Sequence, residues 1–181
     1  MQDLKVFITE KLDITKDYSG YNYQPKDKKE LQDLLEQLVN ERGQKGDFND
    51  IDTSLITDMS CLFGEIPYFN GDISRWNTSK VTNMRGMFDY ARVFDCNISR
   101  WDTSKVTDMS FMFHAANKFN QPIGKWNTSK VEDMHCMFYQ ATSFNQDISN
   151  WNTSKVNHAE YIFDYCPIKK SYKPKKFQKK M

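Results

Sequence analysis

The sequence predicts an α/β fold: a solenoid of about five 25-residue units, each a short strand followed by a short helix, with a capping helix in front. Three observations predict it. Nearly the same phrase recurs at a fixed spacing: "WNTSKVTNMRGMF" at Trp76, "WDTSKVTDMSFMF" at Trp101, "WNTSKVEDMHCMF" at Trp126 and "WNTSKVNHAEYIF" at Trp151. The recurrence has no insertion, and a strict period in the range of about 20–50 residues is the mark of stacked repeats. The unusual residues also belong to it. All four Trp, nine of the thirteen Phe and seven of the nine Met fall on repeat positions.

The elements follow in chain order. Residues 1–24 form an N-terminal segment whose start, "MQDLKVFITEKL", carries charges where a secretory leader would carry its apolar stretch. Residues 25–46 read as the capping helix, with Pro25 near its start, Leu31, Leu34, Leu35 and Leu38 at helical spacing, and Gly43 at its stop. The array occupies 47–167. Its first column is Ile51, Trp76, Trp101, Trp126 and Trp151. The "TSKV" stretch behind it reads as a strand, and Asp58, Asn83, Asp108 and Asp133 read as helix N-caps. Met84, Met87, Phe88 and Ala91 then share one helical face. Phe63, Phe88, Phe113, Phe138 and Phe163 form one ladder, and Phe69, Phe94, Phe119 and Phe144 a second. Strands paired about 4.8 Å apart would seat each Phe on the next. Residues 168–181, with seven lysines and no acid, read as a disordered basic tail. They leave 18 basic against 24 acidic residues elsewhere.

With these residues set out, the repeat resembles that of the BspA-like leucine-rich-repeat surface proteins, a 25-residue unit found also in mycoplasma lipoproteins. The resemblance is carried by "FNGDISRWNTSKVTNMRGMFDYARVF" and "FNQDISNWNTSKV", and by the entry "DFNDIDTSLITDMSCLF" behind a Lys- and Leu-rich helix. It implies a leucine-rich-repeat-like solenoid and a surface or secreted protein that binds host or matrix proteins, or other cells. It offers no catalytic residues.

Composition, at 39% apolar and 27% charged residues, describes an ordinary globular chain. No apolar run approaches the roughly 20 residues that cross a bilayer. On its own evidence the chain belongs in the cytoplasm; the resemblance implies the cell surface or secretion. Cys61 and Cys136 share a repeat position three units apart, about 14 Å along such a stack, whereas a disulfide needs Cα atoms within about 7 Å. Free thiols are expected. Neither a metal-ligand spacing nor a cofactor motif is present.

The predicted function is therefore a non-catalytic protein-binding or adhesion module whose partner is a host, matrix or assembly protein. Binding is expected where units differ without cost to the core, at Arg85, Phe111, His114, His135, Tyr139 and Tyr161. The Trp76, Trp101, Trp126 and Trp151 column is a further candidate, against the simpler reading of a core wall. Polar columns, led by Asp52, Asn77, Asp102, Asn127 and Asn152, form a weaker one. The alternative function is a structural or docking component of an intracellular assembly, its Lys-rich tail meeting an anionic surface. Nucleic acid is not an expected partner, and a Cys136–His158 pair is the only enzymatic arrangement to consider.

Overall fold

The computed structural model describes residues 20–178. The one α-helix among the described residues, α1 (Lys28–Arg42), stands where the capping helix is expected. The Asp27 side chain accepts the Glu30 amide, while Glu30 reaches back to the Lys26 amide, so two otherwise unpaired donors are satisfied. The helix ends at Gly43, whose φ of 77° is open to glycine, and whose N–H donates to the Val39 carbonyl. Leu31, Leu34, Leu35 and Leu38 are buried against the first unit. Beside them Arg42 forms a paired contact with Asp50 at 2.7 Å and lies over the rings of Tyr23 and Phe48. These contacts fix the helix across one end of the array.

The units themselves correct the expected α/β solenoid. They contain no strand and no α-helix, only turns joined by single-residue parallel bridges, Asp58 to Asn83, Asn83 to Asp108, Asp108 to Asp133 and Asp133 to His158. In place of the "TSKV" strand the chain bends. The Asn77 side chain accepts the Ser79 amide and Val81 donates to the Thr78 carbonyl, a local pairing that competes with any ladder. The expected helix fails for a related reason. Asn83 does accept the Arg85 amide, as an N-cap would, but Gly86 next enters the left-handed region at φ 58°. Cys61, Phe111, Cys136 and Tyr161 do the same at the equivalent place. A left-handed residue there stops a right-handed helix before its first full turn closes.

What replaces the helix is a complete accounting of main-chain groups. In the second unit the N–H groups of Met84, Gly86, Phe88 and Tyr90 donate forward to the carbonyls of Asp108, Ser110, Met112 and His114, at 2.8–3.0 Å. The intervening Met87, Asp89 and Ala91 donate back within the unit to Met84, Gly86 and Phe88. Each donor is thereby paired, as buried backbone requires. The pattern repeats from Met109, Phe111, Phe113 and Ala115, and again from Met134, Cys136, Phe138 and Gln140.

Inside the coil the aromatic ladders are continuous. Phe63, Phe88, Phe113, Phe138 and Phe163 follow one another at 5.2–5.8 Å with nearly parallel planes. The second ladder leans on the first, with Phe88–Phe94 and Phe113–Phe119 at 3.9 Å. The ring step exceeds the 4.8 Å of a flat strand pair because the rings are offset. The Thr column is interior too: Thr78, Thr103 and Thr128 donate to the carbonyls of Asp102, Asn127 and Asn152.

The predicted disordered tail is ordered through residue 178. Two single 3₁₀ turns, Lys170–Tyr172 and Lys175–Phe177, lie over the last unit. Lys169 donates its amide to Asn145, Tyr172 accepts the Ile148 amide, and Phe177 meets the Phe163 ring edge-on at 6.1 Å. The few apolar residues among the lysines thus close the Phe stack. Residues 1–19, with the predicted start of the N-terminal segment, and 179–181 lie outside the described residues.

Two outcomes test this packing. Phe113→Ala removes a ring with neighbours above, below and beside it, and should cost about 3–5 kcal/mol in urea unfolding. The second concerns acid. Bonds from the Ser104 hydroxyl and amide hold the Asp102 carboxyl below its ordinary range, and the Ser149 amide does likewise for Asp147. Since the folded-state value lies below the unfolded one, their contribution is complete above about pH 4 and is lost as pH falls below it. Asn77 and Asn127 form the same turn without titrating. Asp102→Asn should therefore keep the neutral-pH melting temperature and shrink its fall between pH 6 and pH 3.

Candidate functional site

The turn pattern decides which side chains face water. Within each arc the Met and Phe positions point inward, whereas the exposed side chains occur at the two residues of the left-handed turn and at the two that close the arc, as at Arg85, Tyr90, Gln140, Tyr161 and Tyr165. Stacking the units in register turns these adjacent pairs into columns two residues wide. One runs through Arg85, Phe111, His135 and Tyr161, and another through Tyr90, His114, Tyr139 and Tyr165.

Both columns are joined by ring contacts. The Arg85 guanidinium lies 5.4 Å from the Phe111 ring centre, Phe111 meets His135 at 5.0 Å, and His135 meets Tyr161 at 6.1 Å. In the second column Tyr90 and His114 are 4.8 Å apart, His114 and Tyr139 5.4 Å, and Tyr139 and Tyr165 5.5 Å. Phe111 and His114 link the two at 5.8 Å. Most of these pairs meet edge-on, the arrangement that brings positive ring edges to negative faces. Tyr90, Tyr161 and Tyr165 remain 47%, 58% and 73% exposed, which makes the patch accessible.

Carboxylates hold the histidines. His114 Nδ1 is 2.6 Å from Asp89, one unit back, and His135 Nδ1 is 3.3 Å from Glu160, one unit on. Burial raises the Asp89 carboxyl above its ordinary value even though the His114 bond opposes the shift. Glu160 is held low by a backbone amide and by His135. The face therefore mixes aromatic area, one guanidinium and paired imidazole–carboxylate contacts.

Six of the sequence-predicted residues, Arg85, Phe111, His114, His135, Tyr139 and Tyr161, are brought together here. The Trp column is not. Trp76, Trp101, Trp126 and Trp151 are buried, and each indole N–H donates to a carbonyl of the preceding unit: Phe48, Ile73, Ile98 and Ile123. Sequence reasoning missed Tyr90 and Tyr165, and the acids Asp89 and Glu160. Tyr90 and Tyr165 share one repeat position, with Ala115 and Gln140 between them, and aromatics recurring at a variable exposed position were the signal available.

The remaining candidates have other work. Asp52, Asn77, Asp102, Asn127 and Asn152 each accept the amide two residues on, so their side chains hold turns. All four cysteines are free. Burial, with Asp164, Asp133, Asp89 and Glu160 nearby, raises the Cys136 thiol, the opposite of activation, and burial pushes Cys166 up to about 11. His158 takes part in the bridge to Asp133 through its main chain. Among the described residues no group of three or more His, Cys, Asp or Glu is placed to hold a metal, and no helix is long and apolar enough to cross a membrane.

A family model described as "Mycoplasma protein of unknown function, DUF285" matches residues 31–123 and 57–175, windows that overlap and together span most of the chain. No curated protein and no solved structure matches it.

The face is built at a cost to the backbone. Phe111, Tyr161, Tyr90 and Tyr165 all hold φ between 56° and 58°, a region that costs a residue with a Cβ roughly 1–2 kcal/mol. At the position shared by Phe111 and Tyr161, Gly86 shows that the fold accepts glycine. Tyr161→Gly should relieve this strain, against about 0.5–1 kcal/mol of added chain entropy. Its unfolding free energy should stay within about 1 kcal/mol of the parent chain. A loss of several kcal/mol would make Tyr161 a packing residue instead.

Proposed function

The chain belongs to this mycoplasma family, DUF285, and from that premise we propose that it is a non-catalytic protein-binding module acting in adhesion through the outer face of its arcs. The observation that carries the reading is the unbroken contact chain from Arg85 through Phe111 and His135 to Tyr161. The core does not require it, since the same positions elsewhere hold Ser60, Ser110, Cys61 and Gly86. Rings and guanidinium groups on a rigid surface are the side chains that dominate protein interfaces, because they bury large area with few torsions to freeze.

The likeness to BspA-like surface proteins supports a host or matrix protein as the partner and a cell-surface or secreted setting. A docking role for the basic tail has less support. Its apolar residues are spent on the last unit, which leaves exposed lysines such as Lys170 and Lys175 as a diffuse charge.

Immobilised matrix and host-surface proteins presented to the full chain test the proposal. At least one should bind, and Phe111→Ala combined with Arg85→Ala should weaken it at least tenfold, while circular dichroism and melting stay near the parent values. Lys170→Glu with Lys175→Glu should leave binding unchanged. No binding across the panel, or binding lost with the lysines and not with Phe111, would overturn the reading.

A further inference from the structure

The forward hydrogen bonds have a terminus. Each arc donates alternate N–H groups to the next, but the arc of residues 159–165 has no successor. Within it Ile162, Asp164 and Cys166 donate back to Ala159, Tyr161 and Phe163, while the carbonyls of His158, Glu160, Ile162 and Asp164 accept from the preceding unit. The N–H groups of Ala159, Tyr161, Phe163 and Tyr165 donate to nothing among the described residues. The ordered tail covers the Phe163 ring with Phe177 and the Lys173 ammonium, and supplies no carbonyl to this row. The result is an edge made of donors only.

The geometry points to this edge as a seat for a proline-rich segment of a partner protein, bound beside Tyr161 and Tyr165. An edge of unmatched donors is a template for an added chain, and the donor-only character selects which chain. A β-strand would bring its own N–H groups against those of the edge. A second copy meeting it through a two-fold axis would set donors against donors. Head-to-tail stacking would need the first unit open, where α1 buries Leu31, Leu34, Leu35 and Leu38. An anion would meet the exposed carboxylates of Glu160 and Asp164 in the same arc. A proline-rich segment has carbonyls without competing donors, is already extended, and packs its rings on aromatic side chains. Tyr161 and Tyr165 flank the row at 58% and 73% exposure. Glu160 and Asp164 favour basic residues next to the prolines.

The use of Tyr161 and Tyr165 rests on the arc face being a binding surface, whereas the amide row stands apart from it. The test is amide exchange by NMR on the full chain, with a polyproline decapeptide flanked by arginines as the probe. A glycine–serine peptide with the same arginines and a poly-aspartate peptide serve as comparisons. On addition of the polyproline peptide, exchange at Tyr161, Phe163 and Tyr165 should slow at least tenfold, and Tyr161→Ala with Tyr165→Ala should weaken binding at least tenfold. Phe111→Ala should leave it unchanged, so loss of adhesion and loss of peptide binding can be told apart. The inference is overturned if those amides are already protected in the free chain or become so with protein concentration. Equal binding of the glycine–serine peptide, or protection by poly-aspartate alone, would overturn it as well.

Discussion

The hydrogen bonds that each arc donates to the next are the constraint on which the rest of this structure depends. They run from Met84 to Asp108, from Gly86 to Ser110 and so on, and they fix a 25-residue period with no freedom to slip. Once that register is set, every side chain must meet its own equivalent. Interior columns are then forced to be uniform, because only like shapes stack on like shapes without voids. This is why Phe, Met and Trp recur so faithfully, and why exposed columns are free to differ.

A second consequence concerns direction. Along the arc, N–H groups point forward and carbonyls point back; at the position of Thr57, Thr82, Thr107 and Glu132, just before the arc, the sense is reversed, with Thr107 donating to Thr82 and Glu132 to Thr107. A stack of this kind has two unlike ends and cannot close on itself. The chain treats them differently. The front is covered by an amphipathic helix whose leucines fill the apolar cross-section, and the rear by a short basic segment that contributes Ile168, Tyr172 and Phe177. Among the described residues the rear cover supplies no carbonyl to the amides of Ala159, Tyr161, Phe163 and Tyr165, so that end is the polar weak point of an otherwise satisfied backbone.

Much of this was legible in the sequence. The period and the identity of the buried columns follow from which residues repeat, and the capping helix from its leucine spacing and its Gly43 stop, while the Trp column could be read as core or as surface. The local backbone did not. Met84, Met87, Phe88 and Ala91 stand at helical spacing because turns closed by a donor to the residue three before it also carry side chains to one side at intervals of three and four. Asn83 bonds the amide that an N-cap would bond. Only the left-handed residue separates the two structures, and its signal is clear at Gly86 and hidden at Cys61, Phe111, Cys136 and Tyr161, whose side chains give no warning of a positive φ. The tail was misread for a different reason. Its average composition is that of a disordered segment, but three well-placed apolar residues suffice when the surface they meet is already ordered.

The same left-handed positions explain why the candidate face lies where it does. Phe111 and Tyr161 stand at the left-handed turn of their arcs, and each ring meets His135 of a neighbouring unit. Glycine would be the cheaper choice there, and Gly86 shows the fold accepting it. Phe111 and Tyr161 instead keep a strained backbone and place a ring on the surface, half-buried at Phe111 and exposed at Tyr161, so the backbone of the folded unit does not account for them. Each also bridges to a neighbour, Phe111 to Arg85 and His135, and Tyr161 to His135, so the rings are held in fixed orientations before any partner arrives. A surface ordered in advance loses little side-chain entropy on binding. At Phe111 and Tyr161 the cost that the backbone carries is thus accompanied by a ring held in place in advance, and the hydrogen-bonded register supplies the rigidity that keeps it there.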